Sequence, residues 1–127
     1  MTQDPSKRKQ LNVLGNDLKI CGRDPVTGFF RTGSCETDSK DRGVHSVCAT
    51  LTQDFLDYSR SQGNDLITPV PELGFQGLKA GQKWCLCAGR WLEAERAGKA
   101  PPIDLEATHA RTLDIIPLEV LKKYQLQ

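Results

Sequence analysis

No stretch of apolar residues and glycine in this chain runs longer than six, Trp84 to Gly89. A membrane-spanning helix needs ~18 or more such residues in succession, so a membrane span is excluded and every buried segment must be short. The chain has 127 residues, 38% of them hydrophobic and 26% charged, with a net charge of +1. That is the length of one domain, and so little net charge beside that apolar content argues against disorder. A net charge near zero supplies no field to gather nucleic acid. The one tight basic cluster, Lys7-Arg8-Lys9, sits in a polar tail. Membrane and nucleic acid are set aside as partners, which leaves a small molecule or another protein.

Residues 1–10 read as a flexible leader and residues 11–127 as a single globular domain. The leader contains Pro5 and several charges but no apolar segment of the kind a secretory signal requires, so a cytoplasmic location is expected. In a reducing compartment thiols stay thiols. The cysteines number five, an odd count that cannot pair completely within one chain. The expectation is therefore five free thiols or metal ligands, most of them small apolar side chains of the interior, and no disulfide framework.

Along the chain, Leu11 to Leu14 begins the ordered part. Asp24-Pro25-Val26-Thr27-Gly28 has turn chemistry: Asp caps, Pro presets φ and Gly accepts a positive φ. Phe29-Phe30-Arg31 would leave that turn as a strand, and Thr32 to Gly43 reads as a polar loop. Val44 to Leu51 alternates with Val47, Ala49 and Leu51 on one face, a strand pattern. Thr50 and Gln53 have capping-box spacing ahead of a helix to about Gln62, with Gly63 as its left-handed stop. Asn64 to Gly81 is irregular. Trp84, Cys87, Trp91 and Ala94 make a helical stripe that predicts a helix over Lys83–Ala97, with Gly98 as its stop. The alternative is a buried strand from Trp84 to Ala88 leading into a shorter helix. Ile103 to Leu105 and Leu113 to Ile116 read as strands, and Pro117 opens a final helix to about Leu126. The fold class expected is α+β: one compact domain with a small mixed or antiparallel sheet, about three helices and long ordered loops.

The residues available for chemistry are the five cysteines, His45 and His109, and the charged groups of the loops. Metal-ligand spacing is poor. On a strand, His45 and Cys48 point to opposite faces unless a bulge intervenes. On a helix, Cys85 and Cys87 diverge by about 200°. No metal and no cofactor is assigned. A nucleophilic cysteine needs a base within hydrogen-bond reach; Cys35, in the polar loop, and Cys21, before the Asp-Pro turn, are expected to be more accessible than Cys85 or Cys87. The candidate thiol or binding cluster is Cys21, Asp24, Arg31, Cys35, His45 and Cys48. The leading functional expectation is a binding or interaction domain whose loops, Gly22 to Gly43 and Asn64 to Gly81, form a polar cleft for a small ligand or partner. The alternative is a metal- or thiol-dependent enzyme built on the Cys/His cluster.

Several segments in order carry a resemblance: Asp24-Pro25-Val26-Thr27-Gly28-Phe29, Asp41-Arg42-Gly43-Val44-His45-Ser46-Val47-Cys48-Ala49, Gly63-Asn64-Asp65-Leu66, Gly77 to Ala88 with its run Trp84-Cys85-Leu86-Cys87, Ala100-Pro101-Pro102 and Ala107-Thr108-His109. Together they resemble the small, mainly bacterial proteins grouped as Domain of Unknown Function 2237. The resemblance spans about Leu11 to Tyr124 and implies a stand-alone, single-domain cytoplasmic protein. It brings no activity, cofactor or catalytic residue with it. Gln82 stands where the family pattern has an acidic residue, and a neutral Gln caps a helix less well than Asp.

Overall fold

The computed structural model describes residues 10–126. The expected leader lies outside them except for Gln10. Among the described residues the regular elements are β1 (His45–Thr50), α1 (Gln53–Ser61), β2 (Lys83–Cys87), α2 (Ala88–Arg96) and α3 (Leu118–Lys122), with three 3₁₀ turns. The fold is a small α+β domain, with β1 and β2 pairing antiparallel as a two-stranded sheet.

A two-stranded ribbon is marginal in water by itself, and here both of its faces are covered. On one side Val47, Ala49, Trp84 and Leu86 join Phe55 and Leu56 of α1, Trp91 and Ala94 of α2, and Leu121 of α3 in the main core. On the other, Cys48 and Cys85 meet Cys21, Cys35 and Ala107 in a second, sulfur-rich core. α1 begins where the Thr52 hydroxyl accepts the Phe55 amide at 3.1 Å, and it ends at Gln62 with Gly63 at φ 89°. The cap is Thr52, not the expected Thr50. α2 carries Ala88, Trp91 and Ala94 inward. Trp91 is fully buried, its indole N–H donating to the Pro101 carbonyl at 3.1 Å.

Several expectations are corrected. The helix predicted over Lys83–Ala97 is a strand to Cys87 and a helix from Ala88 onward. Its apolar residues line up at helical spacing across a junction between two elements, because Trp84 belongs to the strand and Trp91 to the helix. Phe29-Phe30-Arg31 is a turn, with Phe29 40% and Phe30 45% exposed, and no strand among the described residues pairs with it. Ile103 makes only single bridges, to Ala49 and Gln125, and Leu113 falls in a 3₁₀ turn. The final helix stops at Lys122.

The largest correction concerns sulfur. Cys21 pairs with Cys48 and Cys35 with Cys85 in two disulfides, which leaves Cys87 as the free cysteine. Strand pairing makes this possible: Cys48 and Cys85 are Cα partners across the sheet, and each reaches outward to one loop cysteine. The long segment from Gly22 to Gly43 has no regular structure, so its polar backbone must be satisfied in other ways. The disulfides pin it at Cys21 and Cys35. Between them the buried Thr27 accepts the Cys85 amide at 2.8 Å, and the Cys21 amide donates to the Gly33 carbonyl at 2.7 Å. Gly28, at φ 101°, turns under Ser34, whose carbonyl oxygen fills the space a side chain would need.

Candidate active site

Cys87 is the last residue of β2 and the N-cap of the nine-residue α2. Its Cα partner on β1 is His45. In an unbroken register the pairing of Cys48 with Cys85 and of Val47 with Leu86 would set Ser46 against Cys87. The register slips between His45 and Val47, Ser46 becomes the extra residue of a β-bulge, and His45 takes its place. Ser46 is held aside by a 2.6 Å hydrogen bond between its hydroxyl and that of Thr112.

Asp41 completes the arrangement from the loop before β1. Its carboxylate is wholly buried and accepts three hydrogen bonds: from His45 Nδ1 at 2.6 Å, from the His45 amide at 2.9 Å and from the Thr37 hydroxyl at 2.9 Å. Arg111 fixes that loop in turn, donating to Thr37 Oγ1 at 2.9 Å and to the Asp41 carbonyl at 3.3 Å. Val44, between Asp41 and His45, holds φ at 48°. A β-branched residue reaches that left-handed region only under constraint, and such strain gathers at functional sites.

The electrostatics follow from this geometry. Hydrogen bonding to Cys87 raises His45; burial opposes it, and the bond to Asp41 and the charges of both partners add to it, giving a pKa of about 9. For Asp41, burial pushes the carboxyl up, but the hydrogen bonds from His45 and Thr37 prevail and it lies below its ordinary value. Near neutral pH the pair is therefore imidazolium and carboxylate. The protonated imidazole stands opposite Cys87 at the N-terminus of α2. Nδ1 is committed to Asp41, so Nε2 is the ring nitrogen left for proton traffic. A nucleophile, a base beside it and a buried third group that orients the base are what covalent catalysis by a thiol requires. At Gly89, in the first turn of α2, the place of a side chain is open space.

His109, the other imidazole, is spent structurally. Its Nδ1 accepts the Arg111 amide at 2.9 Å, and burial, then the charge of Arg111, lower its pKa.

A cleft adjoins His45. One cavity of about 400 Å³ is bordered by His45, Phe29, Phe75, Trp84 and Arg31, and another of about 380 Å³ runs on from Arg31 and Trp84 to Asp24 and Val26. Phe29 stacks on the imidazole at 6.0 Å between centroids. Besides His45, the walls come from residues within 24–31 and 66–78, inside the two loops singled out in the sequence, and from Trp84 and Cys85 of β2.

Of the sequence-derived candidates, His45, Arg31 and Asp24 thus lie along one cleft. Cys21, Cys35 and Cys48 do not join them: each is at most 3% exposed and bound in a disulfide within the second core. The sulfurs of Cys21, Cys35 and Cys85 lie within 4.8 Å of one another, but disulfide sulfur lacks the thiolate that ligates a metal. The expected accessibility order fails at Cys87, which is the partly exposed one. Sequence reasoning missed the pairing of Cys87 with His45 and the role of Asp41. The available signal was Asp41 four residues before the one histidine that lies near a strand start, together with a cysteine at a strand-to-helix junction.

Compared with the curated proteins, the chain finds no match. The family model described as "uncharacterized protein conserved in bacteria (DUF2237)" matches residues 11–125. With nearly the whole chain so covered, the protein belongs to that family.

Proposed function

We propose that this protein is a thiol-dependent enzyme in which Cys87 is the nucleophile, His45 its acid–base partner and Asp41 the group that orients His45. One observation carries the reading: the Asp41–His45–Cys87 constellation, with the imidazole bound to a buried carboxylate on one side and placed opposite the free cysteine on the other. The reaction class is acyl transfer. The Cys87 sulfur adds to a carbonyl carbon, the bond from that carbon to the leaving group breaks, and His45 gives its proton to the departing atom. Water then cleaves the thioester, its proton passing to His45. The cleft beside His45 supplies the binding part of the reading, with Asp24 and Arg31 among its walls. Residues 11–127 act as one domain in this scheme. A cytoplasmic home belongs to it too: it keeps Cys87 reduced, while burial shields the two disulfides from attack by small thiols.

No helix among the described residues is long and apolar enough to cross a membrane. The test is alkylation by iodoacetamide with the modified residue identified by mass spectrometry. Cys87 of the folded protein should react at least tenfold faster than Cys87 of a His45→Ala variant. Equal rates in the two proteins would remove the proposal.

A further inference from the structure

The cleft meets the site through His45, since Cys87 is not itself among its walls, and its chemistry narrows what the site would act on. The cavity of about 400 Å³ beside His45 has aromatic walls, Phe29, Phe75 and Trp84, with Leu66 among them. Among the described residues its charged lining groups are Arg31 and His45; the acid Asp24 lines the adjoining cavity, which Arg31 also borders. Asp41 neutralises His45 from behind. Arg31 has no such counter-charge: among the described residues its guanidinium pairs with no carboxylate. Its Nη1 donates to the Gly28 carbonyl at 2.7 Å, and its Cζ lies 5.1 Å from the Trp84 ring centroid. Stacked and tethered in this way, the guanidinium is held in one place. Its own backbone sits at φ 56°, one of only two non-glycine positions among the described residues with positive φ, the other being Val44 beside the catalytic histidine.

A tethered guanidinium against aromatic faces, with the one acid, Asp24, on the far cavity, is complementary to a planar anion joined to an apolar group on the His45 side. The open edge of an arginine fork matches a carboxylate in particular. We infer that the cleft takes a small substrate bearing a free carboxylate and a flat apolar group, the carboxylate on Arg31 and the apolar part among Phe29, Phe75 and Trp84. The carboxylate is a handle, and the acyl bond to be cleaved lies elsewhere in the molecule. This rests on the thiol-enzyme reading of the same site.

The experiment uses two neutral–anionic pairs on the full chain. In the first, Cys87 is alkylated by iodoacetate and by iodoacetamide, and the ratio of the two rates is taken, which separates charge selection from the reactivity of the thiol itself. Arg31→Gln should lower that ratio at least fivefold, and Arg31→Lys should restore part of it. In the second, 3-phenylpropanoate should protect Cys87 from iodoacetamide saturably where 3-phenylpropanamide does not, and Phe75→Ala should weaken that protection. Circular dichroism confirms that each variant is folded. An unchanged ratio in Arg31→Gln, or equal protection by the acid and the amide, overturns the inference. The thiol reading fails by a different result, the equality of rates between the wild type and His45→Ala.

Discussion

His45 and Cys87 are direct Cα partners across the sheet only because the register slips by one residue at Ser46. Without that slip a serine would face the free cysteine. The bulge therefore decides which side chain meets the sulfur, and the hydrogen bond between Ser46 and Thr112 secures it. Bulges recur beside active sites because they re-aim a side chain without changing the strand's partners.

Asp41→Asn tests whether the carboxylate orients the imidazole. The two Asp41 oxygens accept from three donors. An amide keeps one acceptor and turns an NH₂ group against a donor. We expect the alkylation rate of Cys87 to fall at least tenfold, with a stability loss of about 1–3 kcal/mol for the unsatisfied buried groups. A variant that keeps the wild-type rate while losing stability would reduce Asp41 to a structural role.

The titration of His45 predicts a pH dependence of stability. Its folded pKa, about 9, is raised above the ordinary 6.5, so between those values the native state holds a proton that the unfolded chain has released. The contribution is fully present below pH 6.5 and is lost as the pH rises through about 9. Urea midpoints of the wild type minus those of His45→Gln, taken from pH 6 to 10, should fall across this window. A flat difference would contradict the raised pKa.

Gly43→Ala should damage the site by geometry alone. A Cβ at Gly43 would lie 2.7 Å from His45 Cε1 and 3.1 Å from the Cys87 sulfur, so the ring must move. Gly43 is not at positive φ, and the substitution brings no backbone strain with it. The expected result is an alkylation rate lowered at least tenfold for a stability cost of about 1–3 kcal/mol, as for other overpacked sites. Retention of the 2.6 Å bond between His45 and Asp41 in a structure of the variant would show that the loop gives way instead.

Trp91→Ala should cost about 3–5 kcal/mol, the usual range for a large buried aromatic. The ring is fully buried, donates to Pro101 and meets Tyr124 edge-on at 5.0 Å. Urea denaturation measures it, and a loss below about 1 kcal/mol would mean that the core closes over the gap.

What was legible in the sequence is what local patterns encode. The alternation of Val47, Ala49 and Leu51 marked β1. The apolar side of Phe55 and Leu56 with Gly63 behind it marked α1, although the cap fell on Thr52. Two loops were expected to form a polar cleft, with Arg31 and His45 among the candidate residues; the recess that they border is walled largely by the rings of Phe29, Phe75 and Trp84. The junction at Cys87 was not legible, because a short apolar run such as Trp84 to Ala88 has no period that separates strand from helix. The site was hidden for the same reason. On a helix Cys87 is one more buried stripe residue, whereas at a strand end it faces His45. The bulge that aligns them leaves no mark in residue type, and disulfide connectivity depends on a three-dimensional arrangement that spacing does not reveal.

The two disulfides can be counted by thiol titration. Unfolded in denaturant without reductant, the chain should titrate one thiol, Cys87, and five after reduction. The Cys21–Cys48 bond closes a separation of 27 residues and the Cys35–Cys85 bond one of 50. The loop-entropy relation gives about 3.5 and about 4.1 kcal/mol for separations of that size. Cys35→Ala/Cys85→Ala should therefore lower stability somewhat more than Cys21→Ala/Cys48→Ala. Both pairs tie the loop 22–43 to the sheet, so either variant should also slow alkylation at Cys87 by loosening Asp41 and Phe29. Five titrating thiols in the unreduced, denatured chain would show that neither bond forms, and the sulfurs would return to the role of interior filler that the sequence had suggested.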